Sequence, residues 1–119
     1  MRVLVCGGRD YCDSSRVWGE LDTLRRTARH DAMVVIQGGA HGADQIARDW
    51  CVSRKVPYDN YPADWNTHGK AAGPIRNQRM LDVGKPDLVI AFPGGRGTAD
   101  MVRRARAAGV LVRELTTTE

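Results

Sequence analysis

The stretch Leu88-Val89-Ile90-Ala91-Phe92-Pro93-Gly94-Gly95-Arg96-Gly97-Thr98 decides the fold class of this chain. Its first half is a continuous apolar run, which is typical of a strand covered on both faces in a parallel sheet. Its second half is rich in glycine, and a helix follows in which Met101, Val102 and Ala105 recur at helical spacing. A buried strand, a glycine loop and an amphipathic helix together predict an α/β domain with a phosphate-binding turn.

The same unit recurs on both sides of this stretch. Upstream, residues 3–6 and 34–36 are apolar runs that each lead into glycine, and residues 57–61 form a weaker strand. Downstream, residues 110–112 form a fifth strand. Helical segments lie between the strands, which predicts a Rossmann-like, doubly wound sheet of five parallel strands in three α/β/α layers. We expect the strand order 3-2-1-4-5 and a single domain over residues 1–119.

Local signals place the ends of the helices. Asp13 or Ser14 can cap the first helix, and Pro74 can occupy the first position of the third. Thr98 is expected at the cap position of the last helix. Residues 62–74 are polar and irregular, so they are expected to form a long loop.

The composition, 42% hydrophobic and 27% charged residues, is that of an ordinary globular protein. The net charge of +4 fits an anionic ligand, whereas the lack of a dense basic run makes nucleic acid a less expected partner. No apolar run approaches the roughly 20 residues of a membrane span, and no signal-peptide pattern opens the chain, so we expect a cytoplasmic protein without a membrane partner. Cys6, Cys12 and Cys51 are scattered without zinc-type spacing, and neither a metal nor a required cofactor is expected.

Three glycine-rich segments follow predicted strands and should meet at one edge of the sheet, since open parallel sheets bind ligands beyond the carboxyl ends of their strands. Glycine lets a phosphate approach backbone N–H groups, and those at a helix N-terminus carry the positive end of the helix dipole. Turn geometry would explain one such loop, but three converging loops favour phosphate binding. The expected ligand-binding residues of these loops are Gly7, Gly8, Arg9, Gly38, Gly39, His41, Gly42, Pro93, Gly94, Gly95, Arg96, Gly97 and Thr98.

These motifs, in this order, resemble the SLOG superfamily, the Rossmann-like group that contains the Lonely Guy phosphoribohydrolases, and most closely its small YpsA-related branch. Residues 93–98 resemble the PGGxGT phosphate loop, and residues 38–43 resemble the earlier GGGxxGLM loop. Residues 73–80 resemble the helix with a catalytic arginine near its start, which implies that role for Arg76. The resemblance covers nearly the whole chain and implies a nucleotide-type ligand.

One position departs from the pattern of the phosphoribohydrolases. Their loop continues PGGxGTxxE, and the glutamate takes part in cleavage of the N-glycosidic bond, but here that position is Met101. Asp100 lies one residue earlier, and because one residue turns a helix by about 100°, it does not simply replace the glutamate. Asp44 is either a first-turn acid that favours the helix dipole or a group that binds ribose or acts as a general base. Hydrolysis would have to use Asp44 or Asp100 together with Arg76.

Three functions stay open at this point. The first is binding of a nucleoside monophosphate or of an NAD or ADP-ribose derivative. The second is phosphoribohydrolase-like cleavage of an N-glycosidic bond, and the third is a DNA-binding role like that of the SLOG fold in the DNA-processing protein A family. Binding is favoured, because the missing glutamate counts against hydrolysis and the absence of a concentrated basic face counts against DNA.

Several side chains allow two interpretations. Arg9 pairs either with a phosphate or with Asp10, and Asn77 either contacts a base or ribose or lies at the surface. Trp65, in the long segment, either closes over a base by stacking or packs down to pin the loop.

A homo-oligomer, most simply a dimer, is a further expectation from the resemblance, since related SLOG proteins commonly form dimers through helix faces. Trp18 and Trp50 either mark such a surface or belong to the core.

Overall fold

Strands and helices alternate along the chain, and the computed structural model describes residues 1–28 and 32–116. The elements in order are β1 (Arg2–Cys6), α1 (Ser14–Ala28), β2 (Val34–Gln37), α2 (Ala43–Arg54), β3 (Tyr58–Asn60), α3 (Trp65–His68), α4 (Ala72–Asp82), β4 (Leu88–Ala91), α5 (Arg96–Ala107) and β5 (Leu111–Glu114). A short 3₁₀ turn, Gly69–Ala71, joins α3 to α4. All five predicted strands are present, with ends shifted by one or two residues. The predicted domain of residues 1–119 also includes residues 29–31 and 117–119, which lie outside the described residues.

The five strands form one parallel sheet in the order β3-β2-β1-β4-β5, which confirms the predicted topology. The central strand is β1, in which Val3 is in register with Val35 of β2 and with Leu88 of β4. The chain moves outward from β1 to β3 and then crosses to β4 on the other side, so the strand order reverses between β1 and β4. The crevice above the carboxyl ends of these two strands is where doubly wound sheets bind ligands.

Two apolar cores lie on opposite faces of the sheet, because successive side chains of a strand point to opposite faces. On one face Val3 and Val5 belong to a cluster with Leu21 of α1 and Trp50 of α2. On the other face Leu4 belongs to a cluster that includes residues of α4 and α5. This is the predicted three-layer α/β/α arrangement.

The outer strands differ from the inner ones. Both β3 and β5 are edge strands with mostly exposed side chains, and Leu111 is 70% exposed. The apolar runs of the inner strands, in contrast, are almost fully buried. None of the helices in residues 1–28 and 32–116 is long and apolar enough to cross a bilayer.

The segment between β3 and α4 is more ordered than predicted. Residues 65–71 form α3 and the 3₁₀ turn, and Asp64 caps α3 by accepting a hydrogen bond from the backbone N–H of Thr67 at 3.2 Å. The expectation of a long irregular loop was therefore wrong. The predicted start of the next helix was wrong as well, because α4 begins at Ala72 and Pro74 is the third residue of its first turn.

The two other predicted caps had different outcomes. Asp13 caps α1, since its carboxylate accepts a hydrogen bond from the backbone N–H of Arg16 at 3.1 Å. At the last helix, α5 begins at Arg96 with Gly95 as its N-cap, so Thr98 lies inside the first turn and is not the cap. The cap lies three residues earlier than predicted because a glycine, and not the hydroxyl-bearing residue, takes the cap conformation.

Trp50 belongs to the core and cannot mark an exposed dimer surface, which corrects one of its two interpretations. Its side chain is fully buried, and its indole N–H donates a hydrogen bond to Asp22 Oδ1 at 2.9 Å. Trp18 is partly buried against the same core, with the guanidinium carbon of Arg54 5.1 Å from its ring centroid.

Candidate functional site

A cavity of about 1060 Å³ opens at the crevice above β1 and β4. This volume is slightly above the ~300–1,000 Å³ typical of small-molecule sites. Its walls are residues 7–11 after β1, residues 93–100 at the start of α5, the first turns of α4, and Trp65. The first and third glycine loops therefore meet here, whereas the segment around the second loop contributes only Ala40 and Asp44.

The third glycine loop presents unpaired backbone donors to the cavity. Residues 95–98 are the N-cap and first turn of α5, and no acceptor among the described residues binds any of their backbone N–H groups. The first loop differs, because the N–H of Gly8 donates to the carbonyl oxygen of Pro93 at 2.9 Å. Four unpaired N–H groups at the positive end of a helix dipole can bind an oxyanion.

The first and second loops are rich in glycine because their backbones pack on one another. A Cβ on Gly7 would lie 2.6 Å from the Cβ of Ala43, and a Cβ on Gly42 would collide with the carbonyl oxygen of Gly8. That oxygen also accepts hydrogen bonds from the backbone N–H groups of Tyr11, at 3.2 Å, and Ala43, at 3.3 Å. Close packing therefore accounts for these glycines without a ligand.

Gly95 and Gly97 are in the opposite situation. A Cβ at either position would meet no atom within 4 Å, so packing does not require glycine there. Both residues line the cavity, together with the exposed Arg96 between them. Side chains at these two positions would crowd the space next to the unpaired N–H groups.

Arg76 is held at the wall of the cavity by the second loop. Its Nη1 group donates to the carbonyl oxygen of Gly38 at 2.6 Å and, at 3.5 Å, to that of Tyr61, while Nε donates to Asn77 Oδ1 at 3.0 Å. A Cβ on Gly38 would collide with Nη1, so glycine makes room for the guanidinium. Burial lowers the pKa of Arg76, and the nearby Asp44 opposes this shift. Among the described residues Nη2 has no partner, which leaves it available to a ligand.

Asp44 is a buried acid close to Arg76. It lies in the first turn of α2, is 7% exposed, and its Oδ2 atom accepts a hydrogen bond from the backbone N–H of Ala40 at 3.3 Å. Burial raises the pKa of Asp44 to about 6, and the Ala40 hydrogen bond and the charge of Arg76 oppose this shift only in part. A carboxyl group that titrates near neutral pH in a cavity wall can accept or donate a proton.

Asn77 and Asp100 form a buried polar link between α4 and α5. The Nδ2 group of Asn77 donates to Asp100 Oδ2 at 3.0 Å and to the carbonyl oxygen of Gly97 at 3.2 Å. Asp100 also accepts from Arg104 Nε at 2.8 Å and from Arg103 Nη2 at 2.5 Å. Burial acts to raise the pKa of Asp100, but the hydrogen bonds from Asn77 and Arg104 and the arginine charges outweigh it and hold that pKa below its usual value.

These contacts leave Asn77 unavailable to a base or ribose and Asp100 unavailable for hydrolysis, the roles that the sequence suggested. Asp100 is an ionised carboxylate with both oxygens engaged, which argues against its use as a proton donor. Asn77 is 3% exposed and its amide is engaged on both sides, so it positions Arg76 and the start of α5. Met101, at the position of the family glutamate, is 1% exposed and packs in the core against the sheet.

Gly39 and His41 lie in a separate hollow of about 200 Å³ near the carboxyl ends of β2 and β3. Gln37 also lines it, and its Oε1 atom accepts a hydrogen bond from the N–H of Gly39 at 2.5 Å. Gly38 and Gly42 line neither hollow. The structure therefore does not bring most of the second glycine loop to the cavity that the third glycine loop faces.

Arg9 and Trp65 contact each other at the cavity wall. The guanidinium carbon of Arg9 lies 5.4 Å from the centroid of the indole ring, so Arg9 pairs with this ring and not with Asp10. Trp65 is 48% exposed, and it therefore does not pin the segment by inserting into the core. Both side chains line the cavity.

Among the lining residues that sequence reasoning did not assign to the site are three with hydrogen-bonding side chains: Tyr11, Lys70 and Arg103. The hydroxyl group of Tyr11 is buried without a partner among the described residues, and its ring lies 5.6 Å from that of Phe92. Its position directly after the first glycine loop was a signal that could have been used. Arg103 gave no such signal, because only the packing of α5 against α4 turns it toward the cavity.

Two other candidate sources of chemistry are the thiol in the cavity wall and side chains of the metal-ligating types. Cys6 lines the cavity, but burial raises its pKa to about 12, so it is a protonated, unreactive thiol. No group of three or more His, Cys, Asp and Glu side chains in residues 1–28 and 32–116 is arranged to hold a metal ion.

Comparison with known proteins supplies the family of this fold. A family model described as YAcAr, the YspA, cpYpsA-related SLOG family, matches residues 1–68. The chain belongs to this SLOG family. The Gene 61 protein of Mycobacterium phage D29 is 41% identical to it over 119 residues, which cover 93% of this chain and 93% of the phage protein. The resemblance identified from the glycine motifs is thereby confirmed.

The family match includes the interlocked first and second loops of this SLOG protein and ends before the loop at residues 93–98. Membership indicates a nucleotide-related function in general terms.

Proposed function

We propose that this SLOG protein binds a phosphate-bearing nucleotide, of nucleoside monophosphate or ADP-ribose type, in the cavity above β1 and β4. The observation that carries the proposal is the group of unpaired N–H donors at residues 95–98, which open onto a cavity with arginine in its walls. A phosphate group is an oxyanion of the size and charge that such a helix N-terminus binds.

The charge of the cavity supports an anionic ligand. Five cationic side chains line it, against three acidic ones, Asp10, Asp44 and Asp100. Asp100 is already paired with two arginines, so the field at the open end of α5 is more positive than this count suggests. Arg76 and Arg96 are placed to add charge-assisted hydrogen bonds to phosphate oxygens.

The size of the cavity favours a nucleotide over a free phosphate ion. At about 1060 Å³ it leaves most of its space beyond the first turn of α5 for a ribose and a base or for a second phosphate. AMP and ADP-ribose are therefore the appropriate first probes, with inorganic phosphate as the minimal one.

A ligand panel measured by thermal shift and calorimetry tests the proposal. AMP, IMP, NAD, ADP-ribose and a cytokinin-type monophosphate are compared on the wild type and on Gly95→Val. The valine side chain enters open space, so the variant should fold normally and lose at least tenfold in affinity because it crowds the N–H groups. Gly19→Val is the matched control, since its side chain also meets no atom within 4 Å but lies on α1.

Two results would contradict the proposal. One is an undiminished ligand response in Gly95→Val, which would place the anion elsewhere. The other is the absence of any response to the panel combined with salt-sensitive retention of DNA, which would favour the DNA-binding alternative.

Hydrolysis of the ligand is the second candidate, and the buried carboxyl group of Asp44 is the observation that favours it. In such a reaction Asp44 would accept one proton from the water whose oxygen attacks C1′ of the ribose, while the bond between C1′ and the base nitrogen breaks. The departing base would take up a proton from solvent, and Asp44 would release its own proton to solvent, so that one water is consumed in each cycle. Chromatography of AMP after incubation measures free adenine. Release that is lost in Asp44→Asn supports hydrolysis, and binding without release supports a binding protein.

A further inference from the structure

We infer that the ligand carries an aromatic base and that this base stacks on the indole ring of Trp65, in the place now taken by the Arg9 guanidinium. The inference rests on the proposed function, because it identifies the part of the nucleotide that the phosphate loop does not contact.

Trp65 is placed as a platform. Its position at the start of α3 is fixed by the cap from Asp64, and the rim of its ring lies 3.5 Å from the point where a Cβ on Gly73 would be. The edge of the indole thus lies next to Gly73 of α4, while the side chain as a whole is 48% exposed. A large aromatic side chain that lines a cavity and remains half exposed is available for stacking.

Arg9 marks the open face of this platform. Its guanidinium carbon lies 5.4 Å from the ring centroid, and among the described residues it forms no ion pair with a carboxylate. A guanidinium group and a nucleobase are both planar groups that stack on tryptophan. Arg9 is exposed, so its side chain can leave the ring when a base arrives and pair with a phosphate oxygen instead.

The two ends of a nucleotide then bind to different walls. The phosphate lies against the N-terminus of α5, and the base lies against α3, with the first turns of α4 between them. This arrangement distinguishes a nucleotide from a sugar phosphate, because the phosphate loop alone would accept both.

The test compares the affinities of AMP and ribose 5-phosphate for the wild type and Trp65→Ala by calorimetry. Trp65→Ala should weaken AMP binding about tenfold, the lower range for loss of one stacked base, and leave ribose 5-phosphate unchanged. Trp65→Phe should keep most of the AMP affinity. Tyr58→Ala, which removes another exposed aromatic side chain outside the cavity lining, should change neither ligand.

Fluorescence provides a second measurement that does not depend on the alanine variant. AMP should quench the tryptophan emission more than ribose 5-phosphate does, because only AMP carries a base that can stack on Trp65. Trp65→Phe should abolish this difference, since the two remaining tryptophans, Trp18 and Trp50, do not line the cavity. Equal loss of both ligands in Trp65→Ala, or no loss of AMP, would overturn the stacking inference while leaving phosphate binding intact. If the wild type binds neither these two ligands nor any other member of the panel, the proposed function fails, and the stacking inference with it.

Discussion

The loop after β1 and the loop before α5 are both rich in glycine, but for different physical reasons. In the loop after β1, Gly7 packs against the Cβ atoms of Ala43 and Phe92, and Gly8 packs against the backbone of Pro93 and Gly94. Gly8 also forms backbone hydrogen bonds with Ala43 and Pro93. At the start of α5, Gly95 and Gly97 face open space and their N–H groups have no partner among the described residues. Gly94, just before them, is packed like the glycines of the first loop, because a Cβ there would lie 2.6 Å from the backbone nitrogen of Gly8. Most glycines of these loops thus serve close packing, whereas Gly95 and Gly97 leave open space beside unpaired N–H groups, and only this second kind of glycine points to a binding site.

The largest effect should come from Gly42→Ala in the packed region. Gly42 has φ 81°, and a Cβ there would collide with the carbonyl oxygen of Gly8, so strain and overlap together should cost about 3–5 kcal/mol of unfolding free energy. Urea denaturation measures this. Gly109→Ala is the control, because Gly109 also has a positive φ, 77°, but no atom within 4 Å, and it should lose only about 1–2 kcal/mol. Equal losses in the two variants would mean that the loops are not interlocked.

The next effect is a pH dependence that arises from the burial of Asp44 behind the second loop. The pKa of Asp44 is raised to about 6 in the folded protein, so between pH 4 and pH 6 the folded state binds more protons than the unfolded state. Stability from this group is therefore complete below pH 4 and is lost as the pH rises through about 6, by about 2–3 kcal/mol.

Asp44→Asn isolates this contribution. The measurement is the unfolding free energy of the wild type minus that of Asp44→Asn, at pH 4 and at pH 7. Asp22, Asp64 and Asp100 have lowered pKa values and contribute in the opposite direction, but they are present in both proteins, so their contributions cancel in this difference. A difference that does not change between these pH values would show that Asp44 is solvated and not buried by the loops.

A smaller effect is expected from Arg76→Lys. Arg76 links the packed second loop to the cavity, because it binds the carbonyl oxygen of Gly38 and lines the cavity wall. Lysine cannot serve the carbonyl oxygen of Gly38 and the amide of Asn77 together, and one unpaired buried acceptor should cost about 1–3 kcal/mol. AMP affinity should fall in parallel, measured by calorimetry. Arg79→Lys is the matched control on the same helix, since Arg79 lies over the ring of Tyr61 and outside the cavity, and it should leave AMP binding unchanged.

The smallest effect on stability should come from Gly97→Ala, in the open region. Alanine favours the helix over glycine, so stability should rise by about 0.5–1 kcal/mol, while affinity for AMP should fall because a methyl group stands beside the unpaired N–H groups. Gly19→Ala in α1 should give the same gain in stability without any change in affinity. A loss of stability in Gly97→Ala would show that Gly97 is packed against neighbouring atoms, as Gly7 and Gly42 are.

The candidate site was predictable in part. The loop at residues 93–98 and Arg76 were each identified from the resemblance to a short family motif, and both line the cavity. His41 and Gly39 were assigned to the same cavity but lie in the smaller hollow, since the second loop turns its exposed residues toward β3. The engagement of Asn77 and Asp100 by each other could not be predicted, because it depends on the packing of α4 against α5.

The sequence by itself determined the parallel sheet, its strand order and the loops at its carboxyl edge, because buried strands, glycine turns and amphipathic helices are local patterns that only a few topologies satisfy. Tertiary structure alone decided which glycines are held by neighbouring backbones and which remain open, that Asp44 is buried, and that Arg9 lies on Trp65. Each of these features depends on atoms from segments that are distant in the chain and meet only when the helices pack on the sheet. A local sequence pattern contains no information about such contacts.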